Sequence, residues 1–260
     1  MWHDSKLMNN IANSLVGMVL LSILLSAVWW AINRPMFSLG SIRIESLNQQ
    51  ELRHVNQLTV RAHAIPKIRG NFFTTNLDAV RSAFEAVPWV KRASVQREWP
   101  NKLVVSLEEH TALGTWGDNG QLISVNGEIF TANLAEAEDD NELIHFSGPS
   151  GSEKEVLARY AEFKSWFAQI HLAPDAVDYS DRYAWSVTLN NGMQVQLGSV
   201  NDSAMLKARV FKLITVYPQL LASLQDSIET IDMRYPNGLA LKSSHKQLIG
   251  KAPKQASKKT

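Results

Sequence analysis

The feature that most constrains this chain is an apolar run near its N-terminus, from Ile11 to Ile32. No charged side chain lies between Lys6 and Arg34. As a helix rising 1.5 Å per residue, the run covers about 33 Å, and the hydrocarbon core of a bilayer is about 30 Å thick. Trp29 and Trp30 end the run, where an aromatic belt is expected at a membrane interface. The run therefore predicts one membrane-spanning helix and a more polar body held at a membrane face.

Three other interpretations of this run fit less well. A cleavable signal peptide has an apolar core of about 7–15 residues and small residues at its cleavage site, where this chain has two tryptophans. A buried helix of a soluble core would carry a polar stripe, and an amphipathic surface helix would carry Lys or Arg along one face. The flanking charges do not decide the orientation, because Lys6 is offset by Asp4 while Arg34 and Arg43 follow the run.

Composition limits the chemistry that the body can perform. The chain has 260 residues and no cysteine, which excludes disulfides, thiolate metal sites and a cysteine nucleophile. Its net charge is +1, but residues 233–260 carry six Lys, one Arg and no acidic residue, so residues 1–232 are mildly acidic. Residues 242–260 are too polar to pack, and we expect a disordered tail that is either simply solvated or weakly attracted to anionic lipid or wall polymer.

Residues 37–109 predict a small α+β domain. Thr75-Asn76 offers an N-cap, and Pro88 ends the helix that follows. Alternating apolar residues mark the strands. The order strand, helix, helix, strand, strand favours a sheet with two helices on one face. In chain order, the predicted elements are a strand around Ile42 and Ile44, helices over 49–58 and 77–87, and strands over 90–99 and 103–109.

Residues 110–241 predict a second domain, a mainly antiparallel sheet with helices on one side. Its clearest element is a hairpin in which apolar residues alternate over 185–189 and 193–197, around the turn Asn190-Asn191-Gly192. The acidic segment 136–142 is expected to be a solvated loop.

Two long helices accompany this sheet. Ser152 and Glu155 fit a capping box at the start of the first helix. The second helix covers about 202–224, and Pro218 should kink or split it.

The segment from Ile231 to Leu241 has an unusual strand pattern. Ile231, Met233 and Tyr235 alternate with polar residues before Pro236-Asn237-Gly238 interrupts the alternation. Proline within a strand is tolerated mainly at an edge or a bulge, so we expect the last strand to be an edge with an interrupted ladder. Such an edge is either an ordinary end of the sheet or a surface to which another chain adds a strand.

No constellation of residues predicts catalysis or metal binding. Glu108-Glu109-His110 has suitable ligand types, but adjacent strand residues point to opposite faces. Gly148-Pro149-Ser150-Gly151 lacks the spacing of a nucleophile elbow. Aromatic residues do not lie among basic ones, as nucleic-acid binding would require. We therefore expect no enzyme, no cofactor, no metal, no small-molecule substrate and no nucleic-acid partner.

Several motifs, taken in this order after one anchor, resemble the FtsQ/DivIB family of bacterial cell-division proteins, whose members contain a POTRA domain. The resemblance covers nearly the whole chain. The motifs are GNFFTTNL (Gly70 to Leu77), VPWVKRASVQREWPNKLVVSLEEH (Val87 to His110), the spacing of Trp116, Gly127 and Phe130, WSVTLNNGMQVQLG (Trp185 to Gly198), VYPQL (Val216 to Leu220) and IDMRYPNG (Ile231 to Gly238).

The resemblance implies a non-enzymatic, single-pass scaffold of the division machinery in the inner membrane. It implies a cytoplasmic tail (1–10), a transmembrane helix (11–32), and two periplasmic domains, a POTRA-like domain (37–109) and an FtsQ-type β domain (110–241), concentrated at the septum. It implies binding of FtsB and FtsL, which links early and late division proteins and influences septal peptidoglycan synthesis.

The resemblance also implies partner-binding residues, because FtsB adds a strand to the last edge of the second domain in this family. Pro236 lacks a backbone donor, so an added strand would have to skip that rung. The positions that match the partner surface are Arg182, Arg234, Tyr235, Asn237, Gly238, Leu239 and Ala240, and those that match a recruitment surface are Val95 and Arg97.

Two rival functions remain to be weighed. A POTRA protein of transport or outer-membrane assembly would need several repeats or a following barrel, and this chain is too short for a barrel. A membrane-anchored periplasmic enzyme would need titratable side chains that converge in a pocket.

Overall fold

The structure is a computed structural model that describes residues 5–48, 51–140, 142–200, 202–224, 228–235 and 238–243. The chain divides into two compact units, residues 1–110 and 111–260. The disordered tail predicted at 242–260 is wrong at its start, because Lys242 and Ser243 belong to the last strand of the second unit. Its remainder, from residue 244 onward, lies outside the described residues.

The first unit begins with one long helix, α1 (Ser5–Ile32), of 28 residues. Its segment Met8–Ile32 has a mean hydropathy of 2.3, and none of its most apolar window is buried within the protein. The helix is thus long and apolar enough to cross a membrane. It begins before the predicted start at Ile11, so part of the segment expected as a tail is helical.

The remainder of the first unit has the predicted strand, helix, helix, strand, strand order. The sheet order is β1-β3-β2, in which β1 and β3 are parallel and β2 and β3 are antiparallel. Leu103, Val105 and Leu107 are fully buried in the central strand, beside the equally buried Phe84. The elements are β1 (Ser41–Ser46), α2 (Gln57–His63), α3 (Leu77–Glu85), β2 (Val90–Glu98) and β3 (Lys102–Glu109).

The helix predicted at 49–58 is wrong, because α2 begins only at Gln57. The Glu109 carboxylate accepts hydrogen bonds from the backbone N–H groups of residues 53, 54 and 55, at 2.9, 3.2 and 2.7 Å. These amides are therefore satisfied by a carboxylate in a bent, non-helical segment instead of in a helix. The N-cap of α2 is Asn56, whose side chain accepts from Thr59 N. For α3, the predicted cap is confirmed, since Asn76 Oδ1 accepts from the N–H groups of the first turn.

The second unit contains a nine-stranded sheet in the order β12-β11-β10-β9-β8-β7-β4-β5-β6. The strands are β4 (Ala112–Trp116), β5 (Gln121–Ser124), β6 (Ile129–Phe130), β7 (Ile144–Ser147), β8 (Pro174–Tyr179), β9 (Ala184–Leu189), β10 (Gln194–Ser199), β11 (Ile228–Asp232) and β12 (Ala240–Ser243). The helices are α4 (Leu134–Asp140), α5 (Glu153–Phe167) and α6 (Ser203–Leu224).

This sheet is mixed, although most of its pairs are antiparallel as predicted. The pairs β4/β7, β7/β8 and β10/β11 are parallel. Two parallel strands that follow each other in sequence need a long crossover connection. Helix α5 supplies this connection between β7 and β8, and α6 supplies it between β10 and β11. The core between helices and sheet includes Trp185, stacked on Tyr179 at 4.1 Å between ring centroids, and the fully buried Phe163.

The predicted hairpin at 185–197 is confirmed as β9 and β10, but two other local predictions for this unit are wrong. The acidic segment expected as a loop forms most of α4. Ser152 makes no side-chain cap, because its hydroxyl donates to Pro149 O at 2.6 Å. For Pro218, the structure rules out a split, because helix α6 continues through it, while the alternative of a kink stays a prediction. Buried Leu213 and Tyr217 hold this helix against the core, and such packing offsets the loss of one helical hydrogen bond.

Gly114 marks the closest approach of two strands in the second unit. A Cβ at this position would lie 1.9 Å from Ile144 O on the neighbouring β7. We predict that Gly114→Ala destabilises this unit by about 1–3 kcal/mol, because β4 and β7 must separate to admit the methyl group. Denaturant unfolding of the full chain in detergent, followed by tryptophan fluorescence, measures the change. In the control variant Gly238→Ala, the added Cβ meets no described atom within 4 Å. Equal unfolding midpoints for the two variants would refute the prediction.

Candidate partner-binding site

The predicted edge is a hairpin and not one interrupted strand. Strands β11 and β12 are antiparallel, with Ile231 opposite Leu241 and Asp232 opposite Ala240. The chain therefore reverses direction between residues 232 and 240, and the expected single strand is wrong on this point. Pro236 and Asn237 lie between the two strands in sequence and fall outside the described residues. A reversal here removes the need for a ladder that passes through the proline.

Strand β11 and the residues after it alternate between core and surface. Ile231 and Met233 are fully buried, and Met233 N donates to Gln196 O at 2.8 Å, which extends the pairing with β10 beyond β11 itself. The alternation stops after Met233, because Arg234 and Tyr235, which follow the strand, are both exposed, and 57% of Tyr235 is accessible to solvent. A large exposed aromatic side chain on a fixed backbone is the type of group enriched among interface hot spots.

Arg234 is paired within its own hairpin. Its Nε and Nη2 donate to the two carboxylate oxygens of Asp232, at 2.9 and 2.6 Å, and its backbone N–H donates to the same carboxylate. The Arg234 hydrogen bonds hold the pKa of the Asp232 carboxyl below its ordinary value, although partial burial opposes this shift. The carboxylate in turn raises the pKa of Arg234. The pair therefore fixes the direction of the guanidinium.

Gly198 provides the space in which the Arg234 stem lies. A Cβ on Gly198 would stand 2.7 Å from Arg234 Cγ, and its φ of +75° is one that favours glycine. The register between β9 and β10 shifts at this glycine, between Gln196 and Gly198. Sequence reasoning missed both Gly198 and Asp232. The i, i+2 spacing of opposite charges on one strand face is the signal that could have revealed Asp232.

The residues that lead into β12 have mixed exposure. Gly238 has open space around its Cα among the described residues, and Ala240 is exposed. Leu239 is half-buried against the core of its own unit, so only part of its surface faces outward. Along β12, 38% of Leu241 is exposed, and Lys242 pairs with Glu229 at 3.2 Å. Within the described part of the chain, β12 is the outermost strand at this side of the sheet.

Arg182 lies in the turn between β8 and β9 and is exposed. This turn is at the same end of the sheet as Arg234 and Tyr235. The start of β9, Ala184, pairs with the end of β10, Ser199, and β11 runs parallel to β10. The structure therefore brings Arg182 to the sheet end at which β11 finishes, although these residues are more than 50 positions apart in the sequence.

The second expected surface, at Val95 and Arg97, lies on β2, an outer strand of the three-stranded sheet. Val95 is half-buried. The Arg97 guanidinium donates to the backbone carbonyls of Phe72 and Thr75, both at 2.7 Å. Arg97 therefore stabilises a loop of its own unit, whatever further contact it makes.

The two carboxylates that were considered as possible metal ligands, Glu108 and Glu109, interact with other groups of their own unit. Glu108 forms an ion pair with Lys91 at 2.8 Å, and Glu109 holds the backbone amides described above. This hydrogen bond from Lys91 lowers the pKa of Glu108 despite its partial burial. No group of three potential metal ligands occurs in the part of the chain that the structure describes. An apolar groove on α1, lined by residues 25–32, contains no titratable side chain.

Both units of the chain match family models of known proteins. A family model described as FtsQ-type POTRA domain matches residues 39–110, and one described as Cell division protein FtsQ/DivIB, C-terminal, matches residues 114–234. A relative from Burkholderia pseudomallei (strain K96243), named Cell division protein FtsQ, is 47% identical over 244 residues, which cover 94% of this chain and 95% of that protein. The chain belongs to the FtsQ family of cell division proteins.

Other FtsQ relatives match over a similar length. The protein of that name from Bordetella pertussis is 40% identical over 253 residues, covering 93% of this chain and 92% of that protein. The one from Neisseria gonorrhoeae is 27% identical over 242 residues, covering 93% and 95%. The resemblance stated from the motifs is thus confirmed, and the single apolar helix α1 fits single-pass membrane anchoring of an FtsQ protein.

The Asp232–Arg234 pair predicts a pH dependence at the end of β11. Because the folded-state pKa of Asp232 is below 3.8, its ordinary value, the contribution of the pair to stability is complete above that pH and is lost as the pH falls through the folded-state pKa. The effect is small because Arg234 is well exposed to solvent. An NMR titration of the Asp232 carboxyl measures its folded-state pKa as the midpoint. Arg234→Ala should raise this midpoint, because the hydrogen bonds that lower the pKa are lost. The control Arg182→Ala should leave the midpoint unchanged. An unmoved midpoint in Arg234→Ala would contradict the assignment.

Proposed function

We propose that this FtsQ protein is a non-enzymatic scaffold that binds FtsB, together with FtsL, by strand addition to β12. In this proposal, the N-terminus is cytoplasmic, and the POTRA and β domains are periplasmic and concentrated at the septum. The scaffold connects early and late division proteins and controls septal peptidoglycan synthesis through the bound complex. The observation that carries the proposal is the outermost position of β12 in the described sheet, next to exposed Tyr235.

Strand addition suits this edge for a geometric reason. An outermost strand has one row of backbone N–H and C=O groups that its own sheet does not use, and an extended peptide can pair with that row. Exposed side chains beside the row then select the partner. Tyr235 and Leu241 supply apolar surface here, while Arg182 supplies a positive charge at the same end of the sheet.

The hairpin supports a simpler pairing register than the interrupted strand expected from the sequence. Pro236 precedes β12 by four residues, so the missing donor does not fall within Ala240–Ser243. An added strand that pairs with β12 has a continuous set of rungs over these four residues.

Membrane anchoring supports the same proposal energetically. A partner anchored in the same bilayer meets this edge at a high effective concentration, so a contact too weak for free proteins in solution can be sufficient. The proposal therefore requires no large interface.

The turn residues provide the first test. We predict that Tyr235→Ala reduces FtsB capture by about 30-fold, the effect of losing a hot-spot side chain worth about 2 kcal/mol. Gly238→Glu should also abolish capture, because the carboxylate projects into open space beside the added strand and does not disturb the fold. Affinity capture from detergent-solubilised membranes measures both variants. The control Met205→Ala removes a side chain of similar exposure from α6. Undiminished capture by the Tyr235 and Gly238 variants would refute the site.

The two outer strands of the same sheet provide a second, matched test. Leu241 on β12 is 38% exposed, and Ile129 on β6, at the opposite edge, is 37% exposed. We predict that Leu241→Glu strongly reduces FtsB capture, because a charge must be desolvated under the added strand, whereas Ile129→Glu does not. Circular dichroism confirms that both variants fold. Equal losses in the two variants would mean that β12 is not the edge that FtsB uses.

A further inference from the structure

Among the exposed large apolar side chains that follow α1 in the first unit, three lie near the end of that helix and have no role in the surfaces described above. Met36 is 66% exposed, Phe73 is 47% exposed and Trp99 is 74% exposed. We call these three residues the membrane-proximal rim, because the topology places all three at the end of the POTRA sheet where the chain arrives from α1.

Strand directions place Trp99 at this end. β1 begins at Ser41, shortly after α1, and β3 runs parallel to it from Lys102. β2 is antiparallel to β3, so the turn between them, which contains Trp99, lies beside the start of β1. A hydrogen bond from Gly40 N to Asn101 O, at 2.9 Å, fixes this turn to the segment that follows α1.

Hydrogen bonds place Phe73 at the same end. Asn71 Nδ2 donates to Ile32 O, the last residue of α1, at 3.0 Å, and Phe72 N donates to Phe37 O at 2.9 Å. The rings of Phe37 and Phe73 then contact edge to face, with 4.9 Å between centroids. The loop that carries Phe73 is thus attached directly to the end of the membrane-spanning helix.

The same loop is held rigidly from two sides. Asn71 Oδ1 accepts from the backbone N–H groups of Phe73 and Thr74, at 3.0 and 2.9 Å. Arg97 on β2 binds the carbonyls of Phe72 and Thr75. Phe73 therefore lies on a loop that several hydrogen bonds hold in place, and its exposure is not a consequence of a loosely packed segment.

Distance along the chain identifies what the rim contacts. Met36 is four residues beyond Ile32, and even an extended chain of that length spans only about 14 Å. The headgroup layer extends about 5–8 Å beyond the hydrocarbon on each side. The turn of 3₁₀ helix at Pro35–Phe37 shortens the path further. The guanidinium carbon of Arg34 lies 3.5 Å from the centroid of the Trp30 ring, so a cation lies directly beside the aromatic end of α1.

We propose that the membrane-proximal rim lies in the headgroup–acyl boundary of the bilayer that α1 spans, and that this lipid contact holds the POTRA sheet end-on against the membrane. Aromatic and thioether side chains are suited to this boundary, since their apolar bodies leave water there without entering the hydrocarbon core. The inference rests on the anchoring of α1 in a membrane. It requires neither FtsB binding nor a particular orientation of the chain.

The absence of cysteine in the sequence allows a direct test. Single variants Met36→Cys, Phe73→Cys and Trp99→Cys carry a nitroxide label in the full chain, reconstituted into vesicles of phosphatidylethanolamine and phosphatidylglycerol without other protein. Leu58→Cys is the matched control, because Leu58 is 76% exposed and lies on α2, near the opposite end of the sheet. A hydrogen bond from the Val55 N–H to the Glu109 carboxylate, at 2.7 Å, holds the segment before α2 at that end of the sheet. Val19→Cys, within α1, reports on anchoring itself.

The expected result is a several-fold lower collision rate with a water-soluble nickel complex, and a higher rate with oxygen, for labels at positions 36, 73 and 99 than for the label at 58. Labels at 73 and 99 that are as accessible to nickel as the label at 58 would overturn the proposal while the label at 19 remains in lipid. A nickel-accessible label at 19 would instead overturn the anchoring on which the proposal rests. The proposal would also be overturned if the labels at 36, 73 and 99 were protected from nickel only after other membrane proteins were added. The occupant of the rim would then be a protein and not lipid.

Discussion

Parallel pairing of β10 and β11 is the constraint on which the end of the sheet with Arg182 and Tyr235 depends. Parallel strands cannot be joined by a short turn, so the chain must return along α6 before β11 begins. As a result, β10 and β11 finish at the same end of the sheet. That arrangement places Tyr235 near the β8–β9 turn with Arg182, and it leaves β12 as the last strand added. An antiparallel β11 would have carried Tyr235 to the opposite end.

Local patterns in the sequence were sufficient where the contacts are themselves local. The Asn190-Asn191-Gly192 turn predicted the hairpin of β9 and β10, because a tight turn and alternation act within a dozen residues. Asn76 predicted the start of α3 for the same reason. The helix expected at 49–58 failed because Glu109, more than 50 residues away, binds the amides that a helix would have used. No local pattern records such a contact.

The sequence named the residues of the candidate site, which stay a prediction, but it did not indicate their conformation. Motif resemblance placed Arg234 and Tyr235 at the edge, yet it could not show that the chain turns back between them and Ala240. Arg97 illustrates a second limit of sequence reasoning. The resemblance implies a recruitment surface at Arg97, and this stays a prediction. The structure shows a contact that the sequence pattern did not indicate, since the guanidinium donates to the carbonyls of residues 72 and 75.

Under the proposed function, the short length of β12 explains how this outermost strand of the described sheet can avoid non-specific pairing and still select a partner. Only four residues form the strand, and Lys242 adds a charge, two features that discourage accidental pairing with other edges. Four residues also offer few outward hydrogen bonds, each with a net value of about 0.5–1.5 kcal/mol. Backbone pairing at β12 is therefore too weak to recruit a free peptide. The side chains around the hairpin, and the shared membrane that α1 provides, must supply the remaining affinity. Under the proposed function, the edge selects partners that are anchored beside it in the same bilayer.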